Sequence, residues 1–315
     1  MLNLALFQNP YLLLRNPLQR SIARNLARFH HRHRMSPNKG NRTMPAIDWK
    51  NRTDHVPFLL TACAAVFLSA CGAGDPVEAP AEPDVQTEAT APASLIEQAL
   101  ADSSRPEDHR SADARRKAAD LLAFAEIDAG DTIGDFIPGG GYWTRLFAKS
   151  TGPTGTVFAF TPDSDSGQPQ LEDIAADTDN YANVIITPLV AGAPITSPEP
   201  LDVLWTSQNY HDLKNLPPPV TTATINAMLY GTLKPGGLYI IVDHSAAADA
   251  PNEVTDTLHR IREDLVREEV EAAGFVFVES SDVLRNPSDL MDLNVFDDTI
   301  RGNTDQFILK FRKPE

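Results

Sequence analysis

From Ser94 onward, apolar residues alternate between a helical and an extended rhythm. Over 111–125, Ala118, Leu121, Leu122 and Ala125 recur at helical spacing, and Gly130-Asp131 closes the segment. The short apolar run 132–137 predicts a strand, and 140–149 predicts a helix with Leu146 and Phe147 inward. A second strand is expected over 155–160 behind a Gly-Pro-Thr-Gly turn, then a weaker helix over 170–176 and a strand over 182–187. Further strands fall at 201–206 and 237–243, separated by a helix over 220–233 and a Lys-Pro-Gly-Gly turn. The longest helix is predicted over 253–273, stopping at Gly274, and strands at 275–279 and 306–312 end the pattern. Strands separated by helix-length segments imply right-handed βαβ units and a mainly parallel sheet. The last two strands have only a loop between them and should form an antiparallel edge. The expected fold is α/β: a doubly wound sheet of seven strands, the last one antiparallel, with helices on both faces.

Composition sharpens this picture at the N-terminal end. The 315 residues are 42% hydrophobic and 22% charged, which suffices for a core of ordinary size. The net charge of −16 is unevenly spread: residues 1–71 hold ten Lys/Arg and two Asp/Glu, leaving 17 basic and 41 acidic residues in 72–315. So acidic a surface repels phosphate backbones, and nucleic acid is not an expected partner. The only two cysteines, Cys63 and Cys71, lie in the same apolar stretch, so the folded part has neither a disulfide framework nor a cysteine zinc site.

Four segments are expected. Residues 1–43 carry eight Lys/Arg, three His and no acids, with a hint of an amphipathic helix near Arg20 to Arg28. That composition suits an organelle transit peptide, a basic arm, or an extension upstream of a start at Met44 or Met35. In 44–71, Lys50 and Arg52 precede an apolar run, 56–70, of signal-peptide length and too short to span a membrane comfortably. It closes in Leu68-Ser69-Ala70-Cys71, which resembles the lipobox of bacterial lipoproteins. The resemblance implies a lipidated Cys71 as mature N-terminus, anchoring the chain at the periplasmic face of a bacterial membrane in the cell envelope. Cleavage after a small residue with Cys71 incidental, or a buried core helix, are the alternatives. Residues 72–93, rich in Ala, Pro and Glu, read as a flexible tether, and 94–315 as the folded domain.

Candidate chemistry concentrates at strand ends. In Thr132-Ile-Gly-Asp-Phe-Ile-Pro-Gly-Gly-Gly-Tyr142 an acid closes a strand, glycines make the turn and a helix follows. Glycines there let a ligand approach the backbone, and the helix offers free N–H groups; a plain βα turn has the same signature. The segment resembles motif I of the class I S-adenosylmethionine-dependent methyltransferases, with Asp135 as the acid, Gly139 and Gly141 matching, and Ile137 in place of the first Gly. The resemblance implies that Asp135, Pro138, Gly139, Gly140, Gly141 and Tyr142 hold S-adenosyl-L-methionine. Where that family places an acid on the ribose, this chain has Thr161, with Asp163 two residues on. The consecutive glycines fit a nicotinamide fingerprint poorly.

The run 201–212 resembles the family's fourth-strand motif, whose end faces the transferred methyl. Asn209, Tyr210, His211 and Asp212 are the substrate-side candidates there, with His211 as the proton acceptor. His211 and His244, beside Asp212 and Asp243, would make a metal site if their strand ends converged, although hydrogen bonding alone is the commoner role of such pairs. His259 reads as surface or packing within its helix, and no metal is expected. The turns 285–287 and 301–305 read as pocket covers or as simple turns. Pro138 to Tyr142, Asn209 to Asp212, Val242 to His244 and Arg301 to Arg312 together resemble a family of bacterial proteins described as predicted methyltransferases. That resemblance implies methyl transfer to an unknown small molecule or envelope acceptor. A catalytically inactive binding or scaffolding lipoprotein of the same fold is the alternative, and a nicotinamide oxidoreductase the third reading.

Overall fold

The computed structural model describes residues 94–162 and 169–315, all within one compact unit. The segments 1–43, 44–71 and 72–93, with Cys71, and Asp163 lie outside the described residues.

Three short helices lead in: α1 (Leu95–Ala101), α2 (Glu107–Arg116) and α3 (Ala118–Phe124). Ser94 and Glu97 close a reciprocal capping box on α1. The single helix expected over 111–125 is two, because Lys117 takes φ 52° and caps α2 through its own N–H. The break has a packing reason. No α2 residue is buried, whereas α3 buries Ala118, Leu121 and Leu122.

There follow β1 (Thr132–Phe136), α4 (Tyr142–Ser150), β2 (Thr156–Pro162), α5 (Pro169–Ala176), α6 (Thr178–Tyr181) and β3 (Val184–Leu189). Next come β4 (Leu201–Ser207), α7 (Thr222–Thr232), β5 (Leu233–His244), α8 (Val254–Thr257), α9 (Glu263–Ala272), β6 (Val276–Ser281) and β7 (Gln306–Arg312). They form a seven-stranded sheet in the order β3-β2-β1-β4-β5-β7-β6. The first five strands pair in parallel, and β7 runs antiparallel to both β5 and β6. The expected α/β doubly wound sheet is therefore present, with β7 inserted inside the edge strand β6.

The helix expected over 253–273 is interrupted. Residues 258–262 are drawn into sheet-like pairing with the end of β5: Ile261 N–H donates to His244 O (2.9 Å) and Ala246 N–H to Ile261 O (2.9 Å). Those bonds replace helical ones, and His259 between α8 and α9 takes φ 55°. Between β3 and β4 no helix forms; residues 190–200 cross as a loop. The loop takes the place of a helix there, with Ile195 packed on the cluster that holds Phe136 and Phe160.

Side-chain alternation divides the core in two. Ile133, Val157, Val203, Trp205 and Ile240 pack with α1, α3, α4 and α5, while Phe136, Phe160, Leu204, Tyr239 and Ile241 pack with α7 and α9. All five residues of β1 are buried. Gly134 lies at its centre, where a Cβ would sit 2.6 Å from Leu201 Cδ1 and 2.9 Å from Phe160 Cε2. Gly134→Val is expected to cost about 1–3 kcal/mol through overpacking, measured by urea unfolding; an unchanged midpoint would contradict this account of the core.

Candidate functional site

The site is built where β1 meets α4. Ile137 leaves β1 with φ 58°, an uncommon conformation for a β-branched residue. Its N–H donates to Phe160 O (2.9 Å) and its carbonyl accepts from Asn209 Nδ2 (2.9 Å), so neighbours on both sides hold it there. Pro138, Gly139 and Gly140 then turn the chain, and a Cβ at Gly139 or Gly140 would meet nothing within 4 Å. Gly141 differs: φ is 74° and a Cβ would sit 2.4 Å from Ile174 Cδ1, so α5 packs against bare backbone. Helix α4 starts there with no side-chain cap from Gly141, and within its first turn the Thr144 N–H bonds the Asp135 carboxyl. From behind, Arg145 Nη1 donates to Gly140 O (3.1 Å) and holds the turn's shape.

Asp135 lies beneath this turn, and its Oδ2 accepts from Thr144 Oγ1 at 2.6 Å. Burial pushes its carboxyl up to about 7, against hydrogen bonds from Thr144 that pull the other way. Asp135 thus braces β1 to α4. Tyr142 is also turned away from the opening, with its hydroxyl donating to Asp113 Oδ1 (2.7 Å). Thr161 is buried near the end of β2 and brings no charge to that rim.

The end of β4 forms the opposite wall. Gln208, with φ 61°, donates its N–H to Val242 O (2.7 Å), and Asn209 Nδ2 also donates to Ser207 O (2.7 Å). Asn209 thus joins the β1 and β4 ends. Tyr210 is fully buried, its hydroxyl accepting from Asn226 Nδ2 (2.8 Å) and lying 3.2 Å from Glu269 Oε2. That position packs into the core so that the following turn can present His211.

A 3-10 turn (His211–Asn215) carries His211 against Asp243. The Asp243 oxygens receive His211 N–H (2.8 Å), His211 Nδ1 (2.8 Å) and His244 N–H (2.8 Å). Burial disfavours the charge on each partner, yet the pairing outweighs it: His211 is raised and Asp243 lowered from their ordinary values. The remaining nitrogen, Nε2, lies 3.4 Å from Asp212 Oδ1. His244 is not part of this group. Its Nδ1 pairs with Thr304 Oγ1 (2.7 Å), and burial drops it to about 4. His259, read from the sequence as surface or packing, does join it, with its ring centroid 5.4 Å from that of His211. The turns 285–287 and 301–305 brace one another, Asp305 accepting from Asn286 N–H (2.6 Å) and Arg285 Nη1 (3.2 Å).

Beside this wall lies an apolar cavity of about 400 Å³. It is bounded by Ile137 and Pro162 at the ends of β1 and β2, the loop 189–195, and Asp212, Leu213 and Met228. It lies on the face where the β3–β4 loop stands in place of a helix. Cavity and glycine turn adjoin at Ile137, and β1, flanked by β2 and β4, is where the strand order reverses.

Strand order with β7 reversed between β5 and β6 decides the fold type. It is the Rossmann-like methyltransferase fold. No protein-family model and no curated protein sequence matches this chain. Among solved structures it is similar to an S-adenosylmethionine-dependent methyltransferase from Aquifex aeolicus, at 17% identity over 61% of this chain and 87% of that one, TM-score 0.44. Phosphoethanolamine N-methyltransferase 2 of Haemonchus contortus, in complex with S-adenosyl-L-methionine, overlaps at 15% identity over 64% and 52%, TM-score 0.47. The 4+2 cyclase SpnF overlaps at 19% identity over 63% and 82%, TM-score 0.47.

The buried carboxyl of Asp135 gives this glycine turn a pH signature. From about pH 4 to about pH 7 the unfolded chain releases this proton while the folded chain keeps it. The folded state then binds more protons, so stability falls as pH rises through that window. Asp135→Asn cannot ionise, and its stability relative to the natural chain is expected to improve by up to about 4 kcal/mol across the window, read by urea unfolding at several pH values. A constant difference would mean that Asp135 ionises normally.

Proposed function

We propose that the domain binds S-adenosyl-L-methionine and transfers its methyl group to an O or N nucleophile of a small molecule or envelope acceptor. The observation that carries this reading is the open space over Gly139 and Gly140, at the switch point where α4 begins. The methionyl part would lie over that turn, and the apolar cavity beyond Ile137 suits an adenine ring or an apolar acceptor. Methyl transfer from a sulfonium needs chiefly alignment and exclusion of water, toward which a braced turn and an apolar cavity wall work. The chain's own residues position: Asn209 fixes the turn, Arg145 braces it, and the His211–Asp243 pair stands on the acceptor side.

A second reading is favoured by one observation, the neutral Thr161 where a ribose-holding acid is expected. In that reading the domain keeps the fold and binds or scaffolds without transferring a methyl group. We further propose that Cys71 is lipidated and holds the domain in the cell envelope of a bacterium, as the preceding Leu-Ser-Ala suggests.

Calorimetry of the full chain with S-adenosylhomocysteine and NAD separates the readings. Submicromolar binding of the homocysteine product supports the enzyme, and binding of neither leaves the scaffold. Gly140→Asp places an anion in open space, so it is expected to abolish that binding while leaving the thermal midpoint nearly unchanged. Retained binding would remove the turn from the site. Lipid labelling in a bacterial host is expected to disappear in Cys71→Ser, and persistent labelling would refute the anchor.

A further inference from the structure

His211 and Asp212 meet a third side chain, His259, that the cofactor reading does not use. Asp212 Oδ1 lies 3.4 Å from His211 Nε2 and 3.8 Å from His259 Nδ1. One ligand atom from each of the three residues falls within 4.8 Å of the others. Asp212 Oδ1 is shielded from solvent and accepts no hydrogen bond. We propose that His211 Nε2, Asp212 Oδ1 and His259 Nδ1 form a binding site for a divalent cation of the zinc class.

The donor set fits that ion: two imidazole nitrogens and a carboxylate oxygen suit zinc, whereas calcium and magnesium call for oxygen cages. Bonds of about 2.0–2.1 Å in a tetrahedron put ligand atoms roughly 3.3–3.5 Å apart, close to the 3.4 and 3.8 Å separations before any ion draws them in. The supporting contact is also present. His211 Nδ1 pairs with the Asp243 carboxylate at 2.8 Å, which keeps a proton on Nδ1, so that a metal would displace the proton of Nε2 and take that nitrogen. His259 reaches the cluster only because the chain leaves the helical path between α8 and α9 and is pinned to the end of β5.

Three protein ligands leave a fourth position open, the arrangement of zinc sites that engage a further ligand. Asp212 belongs both to this cluster and to the wall of the apolar cavity, so a cation there stands beside whatever fills that cavity. Such an ion would lower the proton affinity of a bound oxygen donor and orient it. The site is argued from its own three residues and does not depend on methyl transfer.

The test uses the full chain, stripped with a chelator and titrated with zinc or cobalt(II). The chain's own His30-His31-Arg32-His33 run is a competing sequence, so the background protein carries Gln at His30, His31 and His33. In that background one equivalent of zinc is expected, cobalt should give the visible absorption of a four-coordinate site, and zinc should raise the thermal midpoint. Asp212→Asn, which keeps the side chain's shape, and His259→Gln should each weaken zinc at least about 100-fold and abolish the cobalt absorption, with circular dichroism unchanged. No zinc equivalent in the background protein, or binding that survives both substitutions, overturns the site; the first measurement stands even if a variant fails to fold. Calorimetry with S-adenosylhomocysteine on the same samples keeps the two proposals apart. Its binding without zinc removes only the metal site, and zinc without it removes only the cofactor reading.

Discussion

Asp243 is wholly buried at the end of β5, and its two oxygens accept from the backbone and ring of His211 and from the backbone of His244. A carboxylate out of water is tolerable only when its lone pairs are satisfied by well-placed donors. Satisfying it fixes the turn after β4, because His211 must present its N–H and its ring to one side chain at once. The consequences spread along the rim. Asn209, two residues earlier, is set where it can clamp Ile137; Asp212, one residue later, is set at the cavity wall. Replacing Asp243 by an apolar residue would leave three donors without a partner in the interior.

Much of the fold was legible because its signals are local and repeated. Strands 201–206 and 306–312 stand out as apolar β-rich runs, and β4 and β7 occupy almost those residues. The helix breaks were not legible. Nothing in 111–125 announces that Lys117 adopts φ 52°, since the break follows from which turns reach the core. Residues 258–262 keep helical composition, yet bonding to β5, a contact distant in sequence, takes them away.

The site follows the same division. The glycine turn, Asn209, His211 and Asp212 were readable as polar or conformationally special residues at strand ends, and the structure brings them to one rim. Tyr210 and His259 exchanged places: the tyrosine offered as a substrate contact lies in the core, and the histidine assigned to packing faces His211. A four-residue stretch does not say which of its members points inward, and helical periodicity misleads where the helix is absent. Arg145 was invisible for another reason. Its role is to hold the carbonyls of its own preceding turn, which any helical arginine of ordinary appearance can do.

The loop that replaces a helix between β3 and β4 separates two properties that are usually tied together. Its residues 190–195 shape the cavity but supply no strand, so changes there alter what the cavity admits without disturbing the sheet register. Loop closure costs little when a few residues are added, about 0.6 kcal/mol per doubling of length. Descendants of this chain can therefore change what the cavity holds by varying one surface crossing, while the buried framework that holds the glycine turn stays untouched.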